Sequence, residues 1–205
     1  MSLFRPTANM YGRKLCCLLA ICVGLLGVAS APAVAAVCPG QTFSQPFAAF
    51  KDSNYYTLVK GSQFNAGPEG WELGNGASVV AGTRPGGSSG GVLNLPSGSY
   101  AVSPPVCVTL QYPTARTWVQ SVEGAAGVSV GVYYATSQRG AAAAKQVAQL
   151  SPKTGNGWEL SNPFNVEPQM AGSEEGVREV RFVFANMNRS SDLRVWGLYV
   201  DPRMR

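Results

Sequence analysis

Short apolar stretches closed by Gly, Pro, Asn or Ser recur along this chain, and they restrict its fold more than any other feature. Twenty-four Gly, fourteen Pro and a charged fraction of 13% give the punctuation of a β-sandwich and not the pattern of a helical bundle. The cleanest stretch is Val128 to Tyr134. Successive strand residues point to opposite faces. Val128, Val130, Val132 and Tyr134 therefore share one face, and Ser129, Gly131 and Tyr133 share the other. Eight further strands are read from apolar runs closed by turn residues: 55–59, 77–81, 92–95, 100–103, 106–110, 118–122, 180–184 and 193–200, the last apolar on both faces. About nine strands with turn signals at this spacing predict an all-β fold, a two-sheet jelly-roll β-sandwich.

Two segments need separate treatment. Ala141 to Leu150 opens with four alanines and favours helix by propensity; a strand at its end keeps the alternation of sheets, and that reading is preferred. Arg84 to Gly91 reads as a loop. A small echo links Gly70-Trp71-Glu72-Leu73 to Gly157-Trp158-Glu159-Leu160. Four residues do not make a repeat, so two strand entries with the same Gly-then-Trp packing account for it.

The N-terminus carries an address. Arg5, Arg13 and Lys14 precede an uncharged apolar run from Leu15 to Val28, and Ser30 to Ala36 follows with Pro32 and small residues. This is a signal peptide over residues 1–36, ahead of a domain over residues 37–205 in a secreted, extracellular protein. The rival is an uncleaved anchor, since Leu15 to Val37 has no charge. Val37 before Cys38 does not fit a lipid-anchor signal. Three of the 16 basic residues lie in this leader, leaving 13 against 11 acidic ones. They are scattered, and nothing resembles a nucleic-acid footprint. Cys16, Cys17 and Cys22 leave with the leader. Cys38 and Cys107 remain, an even pair for an oxidising compartment.

The remaining chain resembles a family of small secreted proteins of high-GC Gram-positive bacteria with a galactose-binding-like, carbohydrate-binding-module-like jelly-roll domain. The resembling stretches include Ser44-Gln45-Pro46-Phe47, Tyr56-Thr57-Leu58-Val59, Gly76 to Gly82, Leu95 to Ser99, Cys107-Val108, Pro113 to Arg116, Arg181 to Phe184 and Tyr199-Val200-Asp201-Pro202. The resemblance implies a fold and a compartment and no activity. It has one departure: Trp196-Gly197 stands where relatives carry Asp-Asp.

Chemistry is bounded by the complete absence of histidine. No Ser-His-Asp triad, Cys-His pair or imidazole zinc site can be built. No Gly-rich phosphate loop is present. Paired carboxylates survive as a hydrolase option, from Glu69, Glu72, Glu159, Glu174, Glu175, Glu179 and Asp201. No cofactor is expected. Structural calcium is the mildest metal option, through Asp201 or Asp52 with backbone carbonyls. The aromatic pattern is more informative. Tyr133 should face outward with Ser129 and Gly131, and Arg181 should share that face if the late strands lie side by side. That would form a ligand-binding surface with a stacking ring and a donor fork. The preferred function is a secreted, non-enzymatic module for carbohydrate or cell-wall glycan. The rivals are a structural or protein-interaction domain at the cell surface and a carboxylate-dependent glycoside hydrolase.

The cysteine reading predicts a Cys38–Cys107 disulfide closing a loop of about 70 residues, worth roughly 4 kcal/mol in the chain-entropy picture. Thiol titration of the exported protein should find no reactive thiol. Two free thiols would refute the pairing.

Overall fold

Alternation becomes burial directly along the strand Val128–Tyr134: Val128, Val130 and Val132 are at most 2% exposed and lie in the main core. The computed structural model describes residues 40–109, 113–124, 127–134, 145–166 and 177–201. All belong to one unit, Ala35–Arg205. The signal segment and Cys38 lie outside the described residues.

Fourteen strands are present among the described residues: β1 Phe43–Ser44, β2 Tyr56–Leu58, β3 Glu72–Gly74, β4 Ser78–Thr83, β5 Ser89–Leu95, β6 Tyr100–Val102, β7 Val106–Thr109, β8 Thr114–Glu123, β9 Val128–Tyr134, β10 Lys145–Leu150, β11 Glu159–Leu160, β12 Phe164–Asn165, β13 Val177–Ala185 and β14 Asp192–Asp201. They form two antiparallel sheets, so the protein is the expected all-β sandwich. Sheet A runs β1-β2-β14-β5-β4, with β8 along the other edge of β14 and β11 and β12 outside β8. Sheet B runs β10-β9-β13-β6-β3, with β7 also on β13. All nine expected strands exist, and the preferred strand at the end of Ala141 to Leu150 is β10. The remaining four are only two or three residues long, too short to show alternation. The segment from Arg84 to Gly91 is only partly a loop. Ser89, Gly90 and Gly91 already pair with β4, and Arg84 N–H closes the hairpin on Ser88 O at 2.7 Å.

The core fills the space between the sheets. Leu93, Leu95, Val119, Leu193, Val195 and Leu198 of sheet A meet Val108, Val180, Phe182 and Phe184 of sheet B. Each fully buried side chain of this size contributes roughly 1.5–3 kcal/mol. Pro104 and Pro105 have no N–H to give between β6 and β7. Ser103 covers the gap: its N–H donates to Phe182 O, and its Oγ accepts from Phe182 N, both at 2.9 Å.

Strand β14 organises sheet A. Its register shifts between Trp196 and Tyr199, where Gly197 holds φ +65°. A bulge inserts one extra residue and resets the faces. Trp196 and Tyr199 consequently both face outward, and Leu198 and Val200 return to the core. The turn after β2 fills the gap beside the bulge, with Gly197 N–H on Ser62 O at 2.8 Å.

The arm before β2 lies on the outer face of sheet A. Phe47 is 1% exposed and packs edge-on against Tyr56 and Tyr199, at 5.1 and 5.0 Å between ring centroids. Arg116 of β8 sits over the Phe47 ring at 4.9 Å and donates to Asp52 Oδ2 at 2.7 Å, with both side chains nearly buried. Arg116 Nε donates to Ser161 O at 2.9 Å. Tyr56 OH donates to the same Asp52 oxygen at 2.8 Å, and Asn54 N–H takes the other oxygen at 3.1 Å. Burial and the Asp52 carboxylate push the Tyr56 hydroxyl up to about 12. For Asp52 burial pushes the other way, but its bonds from Tyr56, Arg116 and Asn54 win and hold the carboxyl below 3.8.

Removing one member of a buried ion pair leaves the other uncompensated, which costs roughly 3–5 kcal/mol. Asp52→Ala should destabilise the domain by an amount of that order in denaturant melts. The folded pKa is depressed, so this stabilisation is complete above pH 3.8 and is lost as pH falls through the lower folded value. The gap between wild type and Asp52→Ala should therefore narrow in acid. A gap that is constant down to the acid transition would refute this account of the pair.

Candidate functional site

The arm closes one end of the outer face of sheet A. Beyond it, the strand pairing puts Trp196 of β14 directly beside Trp118 of β8, both partly exposed. Directly opposed residues in an antiparallel pair share a face with Cβ atoms about 5 Å apart. The two indoles thus stand side by side on one surface. Phe50, 51% exposed at the end of the arm, packs edge-on against Trp118 at 5.4 Å. Trp158 enters β11 from the same side, and its indole N–H donates to Thr83 O at 2.7 Å. Trp196 is fixed by an indole bond to Gln63 O at 3.1 Å.

Polar groups border the rings. Arg84 reaches from the β4–β5 hairpin over the Trp196 ring, at 6.0 Å from its centroid, and its Nε donates to Gly91 O at 3.2 Å. Arg194 and Gln120 form the next cross-strand pair beyond the tryptophans. Gln120 Oε1 and Arg194 Nε are shielded from solvent and have no hydrogen-bond partner in the protein. Shielded polar atoms without partners are rare. The face can therefore stack a flat apolar ligand surface and bond its polar rim.

The expected pair Tyr133 and Arg181 is brought together as predicted, in direct register between β9 and β13. Its character differs. Tyr133 is on the outer face of sheet B, as alternation requires, but is only 6% exposed, so the expectation of an open stacking ring is corrected. It packs in a small second cluster with Val102 and Val183, with Tyr100 alongside. Arg181 is committed to Glu72 of β3 at 2.7 Å. Burial pushes the Tyr133 hydroxyl up, against the pull of neighbouring Arg181. The side chain of Tyr134 lies outside the described residues.

The other candidates fare as follows. The oxygens of Asp52, a calcium candidate, accept from a guanidinium at 2.7 Å and from two further donors. Asp201 is buried. Among the described residues no three His, Cys, Asp or Glu gather where they could hold a metal ion. Glu174 and Glu175 lie outside the described residues. A groove of about 500 Å³ opens at one edge of the sandwich, lined by Val119, Leu150, Pro152, Ser161 and Phe164. Its one carboxylate, Glu159, accepts from Lys153 N–H at 2.9 Å, so a carboxylate pair for hydrolysis is not assembled there. Cys107 is buried on β7, and the arm's Gln41 amide donates to its carbonyl at 2.9 Å. The Trp echo separates into two jobs: Trp71 is core, 6% exposed, and Trp158 is at the surface.

Sequence reasoning passed over Trp118 and Trp196. For Trp118 the signal was available: Val119 and Ser121 alternate with Trp118 and Gln120. For Trp196 it was hidden, because the bulge at Gly197 breaks the period.

No family model matches the chain, and no curated protein does. Among solved structures it is similar to the CBM22-1 xylan-binding domain of Paenibacillus barcinonensis Xyn10C, at 12% identity and TM-score 0.46 over 70% of this chain and 92% of that one. It is similar to the K1 cleaved adhesin domain of Lys-gingipain from Porphyromonas gingivalis W83, at 14% identity and TM-score 0.46 over 69% and 96%. It is also similar to the carbohydrate-binding module CBM6cm-2 from Cellvibrio mixtus lichenase 5A in complex with cellotriose, at 10% identity and TM-score 0.44 over 72% and 97%.

The burial of Tyr133 generates a prediction opposite to the one alternation alone suggests. Tyr133→Ala should cost roughly 2–4 kcal/mol of stability, as expected for emptying a buried aromatic site. A melting temperature unchanged within a degree would show that the ring is not packed as described.

Proposed function

We propose that this chain is exported and that its mature domain is a non-catalytic binding module for carbohydrate, including cell-wall glycan, held on the outer face of sheet A. The observation that carries the reading is the cross-strand pair Trp118–Trp196, left partly exposed beside Gln120 and Arg194 atoms without partners. The C–H faces of a sugar ring stack on flat aromatic rings, and its hydroxyls need fixed donors and acceptors at the rim. Indoles locked by Gln63 and Thr83 are preorganised, so little side-chain entropy is lost on binding. Absence of histidine and the lack of an assembled carboxylate pair in the edge groove fit binding without turnover.

A glycan array with the refolded mature domain should give specific binding, and Trp118→Ala should weaken it at least tenfold, about 1.4 kcal/mol. Trp118 is tied by no indole bond that holds the fold together, so melting should fall only slightly. Retained affinity in Trp118→Ala would place the site elsewhere, and a blank array would refute the reading.

A further inference from the structure

The outer face of sheet A carries a second feature beside its indoles. Gly82 of β4 and Gly90 of β5 oppose each other in register. A Cβ at Gly90 would collide with the Arg84 guanidinium, and a Cβ at Gly82 would lie 3.6 Å from Arg194 Nη1. Arg84 from the β4–β5 hairpin and Arg194 from β14 thus both reach this glycine pair: Arg84 fills the space over Gly90, and Arg194 borders Gly82, where Val92 Cγ2 is the nearest atom at 3.0 Å. Neither has a backbone reason to be glycine: neither φ is positive.

Two like charges placed together repel unless something negative lies between them. The ion pairs among the described residues are Arg116 with Asp52 and Arg181 with Glu72; no carboxylate serves Arg84 or Arg194. Arg194 Nε is shielded and has no partner at all. Arg84 spends only its Nε, on Gly91 O. The remaining donors form forks suited to planar or tetrahedral anions. One of these forks lies 6.0 Å from the Trp196 ring centroid, at the border of the proposed stacking surface.

We infer that the site takes an acidic glycan, in which an anionic group on the sugar is clamped between Arg84 and Arg194 over the Gly82–Gly90 pair. This rests on the carbohydrate reading above and narrows it to a charge class. The anion can be a uronate carboxylate or a polyol phosphate, since both match a guanidinium fork.

The test is calorimetry on the mature domain with three probes: a galacturonic acid hexamer, poly(glycerol phosphate) and the neutral xylohexaose. In low salt an acidic probe should bind at least about tenfold tighter than the neutral one, and raising NaCl should erode that advantage. The arm that binds names the anion. In the Arg84→Met/Arg194→Met double variant the acidic-to-neutral ratio should fall toward one. Gly90→Ala, which changes no charge and only displaces Arg84, should lower the ratio as well. Equal or tighter binding of the neutral probe would overturn the acidic assignment and leave the carbohydrate reading standing. A preference that survives in the double variant would also overturn it. If no probe binds and the array is blank, both readings fall together.

Discussion

The ion pair between Asp52 and Arg116 decides what the outer face of sheet A can be. A sheet covered on both sides needs a second layer, and among the described residues a short arm supplies part of one. Phe47 lays that arm across Tyr56 and Tyr199, and Asp52 locks it to β8 through Arg116. The lock is well bonded: Asp52 takes three donors, and Arg116 also reaches Ser161 O. Buried charges are tolerated when paired and bonded in this way. One end of the face is thereby closed. The arm then turns at Ala48–Phe50, and its last aromatic leans on Trp118 without covering it. The open end of the face is a consequence of where the arm stops.

The bulge at Gly197 completes the division. Without the extra residue, the alternation that sends Arg194 and Trp196 outward would also send Leu198 outward. With it, Leu198 and Val200 return to the core and Tyr199 meets Phe47. One strand therefore supplies both Tyr199, which meets the arm, and Trp196, which stands partly exposed beside Trp118. The glycines opposite each other on β4 and β5 do similar work by omission. They keep the surface low where two arginines lie flat. Small residues here shape a surface that larger ones would bury.

Much of the fold was legible in the sequence because it rests on local rules. Alternation placed Val128, Val130 and Val132 in the core and Tyr133 on the other face. The register between β9 and β13 even sets Tyr133 against Arg181, as expected. Alternation names a face, however, and not what covers it. Tyr133 is closed off by Val102 and Val183, which lie 31 residues before it and 50 after it in the chain, and Tyr56 by the arm. Coverage of that kind is a tertiary fact. The tryptophan site was less legible for a second reason. Only β8, with Trp118 and Gln120, has a period long enough to read; the arm, the hairpin, the bulged strand and the two-residue strand that complete the site do not.

The central claim is that the indoles on the outer face of sheet A contact sugar and that the core indole does not. The chain has four tryptophans, and each indole N–H gives its own signal in a proton–nitrogen correlation spectrum. Titration of the mature domain with a bound oligosaccharide should move the signals of Trp118 and Trp196 and leave Trp71 in place. Binding that moves Trp71, or that moves none of the four, would contradict the account.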